Sequence, residues 1–135
     1  MKKDIKKFLN PKEKSLECIK AALDKKAFDI VLLDVKKLVD YTEYFLIVSG
    51  RSDRQVKAIG ESIIETMKKK NEKPLGVEGM SEGRWVLIDL DEVIVHIFFY
   101  PIREFYDLEN LWIEAPKIDL SGIEVKTEKK RQPGI

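Results

Sequence analysis

Apolar side chains that recur at helical spacing predict a first helix near the start of the chain. The pattern follows Asn10 and runs to Leu23. Asparagine is a preferred N-cap, proline suits the first helical position, and a glutamate three residues after the cap completes a capping box. Asn10, Pro11 and Glu13 occupy these positions, so the helix is predicted to begin directly after Asn10.

Two continuous apolar runs, residues 30–35 and 44–49, predict strands that are buried on both faces. Residues 52–55 then form a Ser-x-x-Gln capping box, and a second run of apolar residues at helical spacing follows it. A short strand is predicted at 74–79. This order of strand, helix and strand favours a crossover between the second and third strands.

Two further apolar runs, residues 85–89 and 93–99, predict an antiparallel hairpin closed by Leu90-Asp91-Glu92. Pro101 ends the second run and begins a last short helix, which is predicted to continue to Trp112. The elements together predict one α/β domain with a mixed sheet of about five strands packed by helices.

The chain has 135 residues, which favours a single domain. Residues 1–9 are predicted to be a basic N-terminal extension, and residues 10–116 the folded domain. Residues 117–135 are charged and contain glycine and proline, so a flexible C-terminal tail is expected there.

The net charge of +1 hides an uneven distribution of charge along the chain. Residues 1–14 hold six lysines and two acids, whereas residues 78–114 hold nine acids and two arginines. An acidic surface built from 78–114 would repel phosphate and attract a basic partner. No apolar run approaches the roughly 20 residues that span a bilayer, and none follows the N-terminal lysines. A cytoplasmic protein without a membrane partner is therefore expected.

Few residues in this sequence are suited to catalysis or metal binding. His96 is the only histidine, and it lies inside an apolar run, which predicts a buried structural residue whose ring is satisfied. Cys18 is the only cysteine, which excludes an internal disulfide and a cysteine-based zinc site. No metal and no cofactor are predicted.

The enzymatic candidate is a carboxylate set formed by Asp89 and Asp91, with Asp34 as a third member. Beside a Gly-Arg-Ser turn (residues 50–52), such a set is similar to that of nucleotidyltransferases, which hold magnesium on carboxylates for phosphoryl transfer. In those enzymes, however, the glycine and serine are adjacent and the acids follow closely. The alternative is an ordinary polar hairpin turn.

Five segments of the sequence resemble the ribosomal silencing factor (Iojap) family, and they occur in the same order as in that family. They span most of the predicted domain and are specific in combination: FDIVLLDVKKL (28–38), TEYFLIVSGRSDRQVKAIG (42–60), PLGVEG (74–79), GRWVLIDLDEVIVHIF (83–98) and REFYDLENLW (103–112).

The resemblance implies a nucleotidyltransferase-like fold without the catalytic set, and hence a protein that is not an enzyme. It implies binding to ribosomal protein fourteen of the large subunit, which blocks joining of the small subunit and represses translation when nutrients are scarce. A two-fold homodimer is expected off the ribosome, and the basic ends are expected to make peripheral contact with ribosomal RNA.

The partner surface is expected on the fourth strand, the turn after it and the last helix. Trp85, Leu90 and Tyr106 resemble the contact residues of the family, although the two aromatic residues would also suit packing of the hairpin against the helix. Leu90 is expected to be an exposed turn residue whose truncation hardly changes stability. Aromatic and arginine anchors ringed by acids suit a basic protein. The full predicted set is Trp85, Leu90, Asp91, Arg103, Tyr106, Asp107 and Glu109.

Two departures from the family pattern keep a carboxylate. Glu43 stands where the family usually has aspartate, and Asp91-Glu92 where it usually has Gly-Asp. A glycine in that turn permits a positive φ, which aspartate tolerates better than most residues. The shape of this turn is therefore in question.

Overall fold

The strands of this chain form one mixed sheet, and the helices pack on its two faces. The computed structural model describes residues 9–122. Two antiparallel helices lie on one face of the sheet and two short helices on the other. The elements in chain order are α1 (Pro11–Asp24), β1 (Phe28–Asp34), β2 (Tyr44–Gly50), α2 (Asp53–Lys69), β3 (Gly76–Glu78), β4 (Trp85–Asp89), β5 (Val93–Phe99), α3 (Tyr100–Tyr106) and α4 (Leu108–Leu111).

The sheet has the strand order β1-β2-β5-β4-β3. Strands β2 and β5 are parallel, and every other neighbouring pair is antiparallel. The predicted α/β domain with a five-stranded mixed sheet is confirmed. The hairpin of β4 and β5 is also confirmed, with Trp85 opposite Phe98 and Asp89 opposite Ile94.

Both predicted helix starts are confirmed. The Asn10 side chain accepts a hydrogen bond from the Glu13 amide at 2.8 Å, and the Glu13 carboxylate accepts one from the Asn10 amide at 3.0 Å. The Ser52 hydroxyl accepts a hydrogen bond from the Gln55 amide at 3.1 Å at the start of α2. These side chains satisfy amides that have no partner within the helix.

The predicted crossover between β2 and β3 was wrong. The parallel neighbour of β2 is β5, whereas β3 lies at the edge of the sheet and pairs antiparallel with β4. The reason is burial. The three residues of β3 are exposed, while β5 is apolar almost throughout and mostly buried, so β5 takes the central position.

Helices α1 and α2 close the first face of the sheet. Their apolar side chains meet those of β2, β4 and β5 in a cluster excluded from water. Burial of this many aliphatic side chains is the main stabilising term of the fold. The cluster includes Ile19, Leu46, Ile59, Ile63, Val86, Ile88, Leu90, Val95 and Ile97.

The second face is covered only in part. Leu108 and Ala115 pack on Leu33, Phe45 and Phe98 in a smaller cluster over the β1, β2 and β5 side of the sheet. The predicted last helix is broken here, because Asp107 adopts the left-handed conformation between α3 and α4.

The folded part of the chain extends beyond the predicted boundaries. Leu9, expected in the N-terminal extension, packs on the first cluster. The Ile118 amide donates a hydrogen bond to the Leu32 carbonyl at 2.9 Å, and Leu120 is buried, although both were expected in the tail. Residues 1–8 and 123–135, which hold the rest of the predicted extension and tail, lie outside the described residues. Within 9–122, no helix combines the length and apolar character needed to span a bilayer.

Candidate partner-binding site

The part of the second face that α3 and α4 leave uncovered is half-exposed and apolar. Successive side chains of a strand point to opposite faces, so Trp85 and Leu87 of β4 lie on this face, opposite their buried neighbours Val86 and Ile88. Ile94 of β5 pairs with Asp89 and lies beside them. We call the surface formed by Trp85, Leu87, Asp89, Ile94 and Tyr106 the open face.

Aromatic rings connect the open face to α3. The Trp85 ring lies 4.8 Å from the ring of Phe98 beneath it and 4.9 Å from the ring of Tyr106. Tyr106 is 50% exposed, and its neighbour Phe105 is more exposed still. An open cleft of about 490 Å³ adjoins this aromatic pair, lined by Gly79, Glu82, Arg84, Trp85, Ile102, Phe105 and Tyr106.

Three exposed carboxylates are next to residues of the open face, and we call them the rim. Glu78 pairs with Leu87 and therefore shares its face, whereas Asp91 and Asp107 closely follow Asp89 and Tyr106 in the chain. Among residues 9–122, no salt bridge engages these three carboxylates. An apolar centre within unpaired negative charge suits a basic protein partner.

His96 lies beneath the open face in an unusual state. The Trp85 indole N–H donates to His96 Nδ1 at 3.1 Å, so Nδ1 must be an acceptor and the ring proton of neutral His96 is on Nε2. Nε2 is buried and has no partner among the described residues. Burial also lowers the pKa of His96 to about 4. The predicted burial of His96 is confirmed, but the prediction of a satisfied ring was wrong.

Acidification is expected to destabilise the protein through His96. An unfolded histidine has a pKa of about 6.5, so between that value and about 4 the unfolded chain binds the proton and the folded chain does not. Stability should fall as the pH falls through this window, by about 2 kcal/mol between pH 7 and pH 5.

The control is His96→Phe, which keeps a ring between Phe45 and Phe98 and cannot titrate. Carboxylates contribute equally to both proteins, so the difference between their urea unfolding curves at pH 7 and pH 5 isolates the histidine. Identical pH dependence in the two proteins would contradict the expectation.

Arg103, predicted at the partner surface, is instead buried in a structural position, and Glu109, which is partly exposed, is its ion-pair partner. Arg103 is 8% exposed, and its guanidinium donates to both Glu109 carboxylate oxygens at 3.1 and 2.9 Å. It also donates to the Asp29 carbonyl at 2.6 Å and to the Ser49 hydroxyl at 2.8 Å. The hydrogen bonds from Arg103 lower the pKa of Glu109. This arrangement fastens α3 and α4 to the ends of β1 and β2.

Leu90 is also misplaced in the predicted site, because its side chain is only 2% exposed and belongs to the first core cluster. The hairpin turn bends towards α1, where Lys14 Nζ donates to the Leu90 carbonyl at 3.0 Å. Lys14 also meets Glu92 at 2.7 Å and Glu72 at 2.9 Å. A buried cation with two carboxylates thus holds the turn against the helix.

The hairpin turn after β4 retains the positive φ that the replacement of glycine by Asp91 had put in doubt. Asp91 has a φ of 76°, and its amide donates to the Asp89 carboxylate at 2.9 Å. Aspartate therefore occupies the left-handed conformation that the family glycine would favour. The sequence-predicted residues Trp85, Asp91, Tyr106 and Asp107 are at the surface.

The three carboxylates of the enzymatic alternative do not converge. Asp34 pairs with Tyr44, which pairs with Val93, while Asp89 pairs with Ile94. Asp34 and Asp89 are therefore three strand spacings apart, or about 14 Å. Between residues 9 and 122, no three histidine, cysteine or acidic residues are grouped to hold a metal ion.

The predicted site set did not include Leu87, Ile94, Glu78 or Phe105, which the structure places on or beside the open face. The alternation in β4 already placed Leu87 on the face of Trp85. Ile94 and Glu78 join that face through strand pairing, which one sequence does not reveal.

The family model and the curated relatives both identify this chain with the ribosomal silencing factors. The family model described as "Ribosomal silencing factor during starvation" matches residues 9–134. The ribosomal silencing factor RsfS of Bacillus subtilis is 43% identical over 110 residues, covering 80% of this chain and 93% of that protein. A crystal structure of a Chromobacterium violaceum protein superimposes with a TM-score of 0.76 at 36% identity, covering 77% of this chain and 87% of that one. A more distant relative is the mouse "Mitochondrial assembly of ribosomal large subunit protein 1", 30% identical over 89 residues, which are 64% of this chain and 39% of that protein.

Proposed function

Because this chain belongs to the family of ribosomal silencing factors, we propose that it binds ribosomal protein fourteen of the large subunit through the open face. Bound there, the protein occupies space that the small subunit needs, and it represses translation when nutrients are scarce. The mechanism is steric, so it requires a rigid docking surface and no chemical step.

One observation supports this proposal above the others, namely the half-exposed apolar strip within a rim of unpaired carboxylates. Leu87 and Ile94 are residues of regular strands, so the floor of the surface is rigid. Trp85 and Tyr106 stand at its side as aromatic anchors of the kind that supply most of the energy in interfaces. Ribosomal proteins are mostly basic, and the rim complements them.

The name of the mouse relative refers to assembly of the large ribosomal subunit, which agrees with the large subunit as the partner. Off the ribosome, exposed Phe105, Leu111 and Ile113 support the expected two-fold dimer. The described carboxylates give no support to a phosphoryl-transfer reaction, and the protein is proposed to act without catalysis.

Subunit joining provides the functional test. Purified small and large subunits are mixed with the protein in magnesium and sedimented through sucrose. The wild-type protein should shift material from the joined-ribosome peak to free subunits. Tyr106→Ala removes an anchor of the open face and should leave several-fold more joined ribosomes at the same protein concentration, because a central aromatic anchor contributes roughly 1–2 kcal/mol or more to binding.

Tyr100→Ala is the matched control. Tyr100 is in the same helix and is 45% exposed, but it contacts Phe28 and Phe99 instead of Trp85. This variant should block joining as well as the wild type. Joined ribosomes that persist with wild-type protein, or equal losses in both tyrosine variants, would refute the proposal.

A further inference from the structure

A group of lysines lies where α1 begins and α2 ends. Lys68 and Lys69 are in the last turn of α2, Lys73 follows that helix, and Lys12 is in the first turn of α1. All four side chains are exposed. We call them the lysine pole.

Contacts of Glu72 bring the two segments together. Its carboxylate accepts a hydrogen bond from the Leu9 amide at 3.1 Å and lies 2.9 Å from Lys14 Nζ. The start of α1 and the turn after α2 are therefore adjacent, although Leu9 and Glu72 are 63 residues apart in the chain. Residues 1–8 add four more lysines to the sequence that joins the fold at this point.

The carboxylates near the lysine pole form no ion pair with it among the described residues. Glu72 is engaged by Leu9 and Lys14, and Glu13 is engaged in the capping box of Asn10. Glu65, one turn before the end of α2, is the exposed carboxylate nearest in the sequence of that helix. Among residues 9–122, the salt bridges include none of the four lysines of the pole.

Interaction with the helix dipoles accounts for the positions of only two of the four lysines. Lys68 and Lys69 complement the negative end of the α2 dipole. Lys73 lies beyond the helix, and Lys12 lies at the positive end of α1, where a cation is unfavourable. A partner with negative charge would compensate for both positions.

We propose that the lysine pole contacts the phosphate backbone of ribosomal RNA while the open face holds ribosomal protein. This inference rests on the proposed function, since it places the contact on the same large subunit. Lysine is a compact point charge that binds phosphate without reading bases. The aromatic residues that would stack on bases are absent from the described part of the pole, so the contact is independent of RNA sequence.

The positions of the two surfaces allow both contacts at once. Lys73 is two residues before Leu75, whose amide donates to the carbonyl of Asp89 on the open face at 2.8 Å. Lys73 therefore lies near the β3–β4 edge of the open face, while Lys12, Lys68 and Lys69 belong to the helices behind the sheet. The acidic rim meets basic protein, and the pole meets the RNA beside it.

The test is the salt dependence of binding to purified large subunits between 50 and 300 mM KCl, over which the Debye length falls from about 14 Å to about 6 Å. The triple variant Lys68→Gln, Lys69→Gln and Lys73→Gln removes three cations from the pole. Each lost phosphate contact reduces the slope of log Kd against log salt by about 0.7–0.9, so the triple variant should reduce it by about 2. Binding should weaken roughly tenfold or more at 50 mM KCl and much less at 300 mM.

The matched control removes the same charge elsewhere, through Lys25→Gln, Lys37→Gln and Arg54→Gln, which are exposed positions outside the pole. Its slope should remain close to that of the wild type. An unchanged slope in the pole variant, or an equal decrease in the control, would overturn the proposed contact between the lysine pole and RNA but not the proposed function. Tyr106→Ala separates the two surfaces, because it should weaken binding at every salt concentration without changing the slope. Absence of wild-type binding at all concentrations would overturn the proposed function together with this inference.

Discussion

Replacing Arg103 with methionine is expected to lower the free energy of unfolding by about 3 kcal/mol. The guanidinium joins the Glu109 carboxylate to the Ser49 hydroxyl, which is buried at the end of β2. Methionine fills much of the same volume but leaves both groups without this donor. Unpartnered buried polar groups lose their hydrogen bond and do not regain full solvation. Partial exposure of Glu109 keeps the loss at the lower end for a buried pair.

Urea unfolding at neutral pH measures this loss. Arg84→Met is the control, because Arg84 is exposed and enters no salt bridge among the described residues. It should change stability by no more than about 0.5 kcal/mol. Loss of Arg103 should also weaken binding to the large subunit, since α3 carries Tyr106. A change below about 1 kcal/mol for Arg103→Met, the size typical of surface ion pairs, would contradict the structural role.

Replacing Leu90 with alanine is likewise expected to cost about 3 kcal/mol of stability. The side chain is buried in the core between the hairpin and α1, so truncation leaves a cavity as well as reducing apolar burial. The sequence alone led to the opposite expectation, an exposed turn leucine of little structural value. The structure makes Leu90 a residue that supports the turn from within.

Leu75→Ala provides the comparison for Leu90→Ala in thermal or urea unfolding. Leu75 is 71% exposed, so its truncation should change the free energy of unfolding by less than about 0.5 kcal/mol. Equal and small losses in the two variants would restore the interpretation of Leu90 as a surface residue. Weaker ribosome binding by Leu90→Ala is informative only at temperatures where the variant is fully folded.

Features determined by neighbours in the sequence were predictable, and features determined by distant residues were not. The Asn10 cap involves a partner three residues away, and the β4–β5 hairpin joins adjacent segments. The burial of Leu90 depends on Lys14, 76 residues away, and that of Arg103 on Asp29, 74 residues away. A leucine in a turn and an arginine near acids both suggest surface positions until the opposing element is known.

In the candidate site, too, the features set by neighbouring residues were predictable and those set by distant residues were not. The half-exposure of Trp85 and the face of Leu87 follow from alternation within one strand. Ile94 joins them only because β5 lies between β2 and β4, an order that periodicity does not encode. The resemblance of the sequence to a family directed attention to β4 and α3, but it did not distinguish exposed residues from buried ones that hold these elements in place, such as Leu90 and Arg103.

Direct binding of the purified protein to isolated ribosomal protein fourteen tests the central claim most closely. Calorimetric titration should give a one-to-one complex with the wild type and with Tyr100→Ala. Tyr106→Ala should bind with a Kd that is roughly tenfold higher or more, while all three proteins unfold at similar urea concentrations. Absence of a complex with wild-type protein, or undiminished affinity in folded Tyr106→Ala, would contradict docking through the open face.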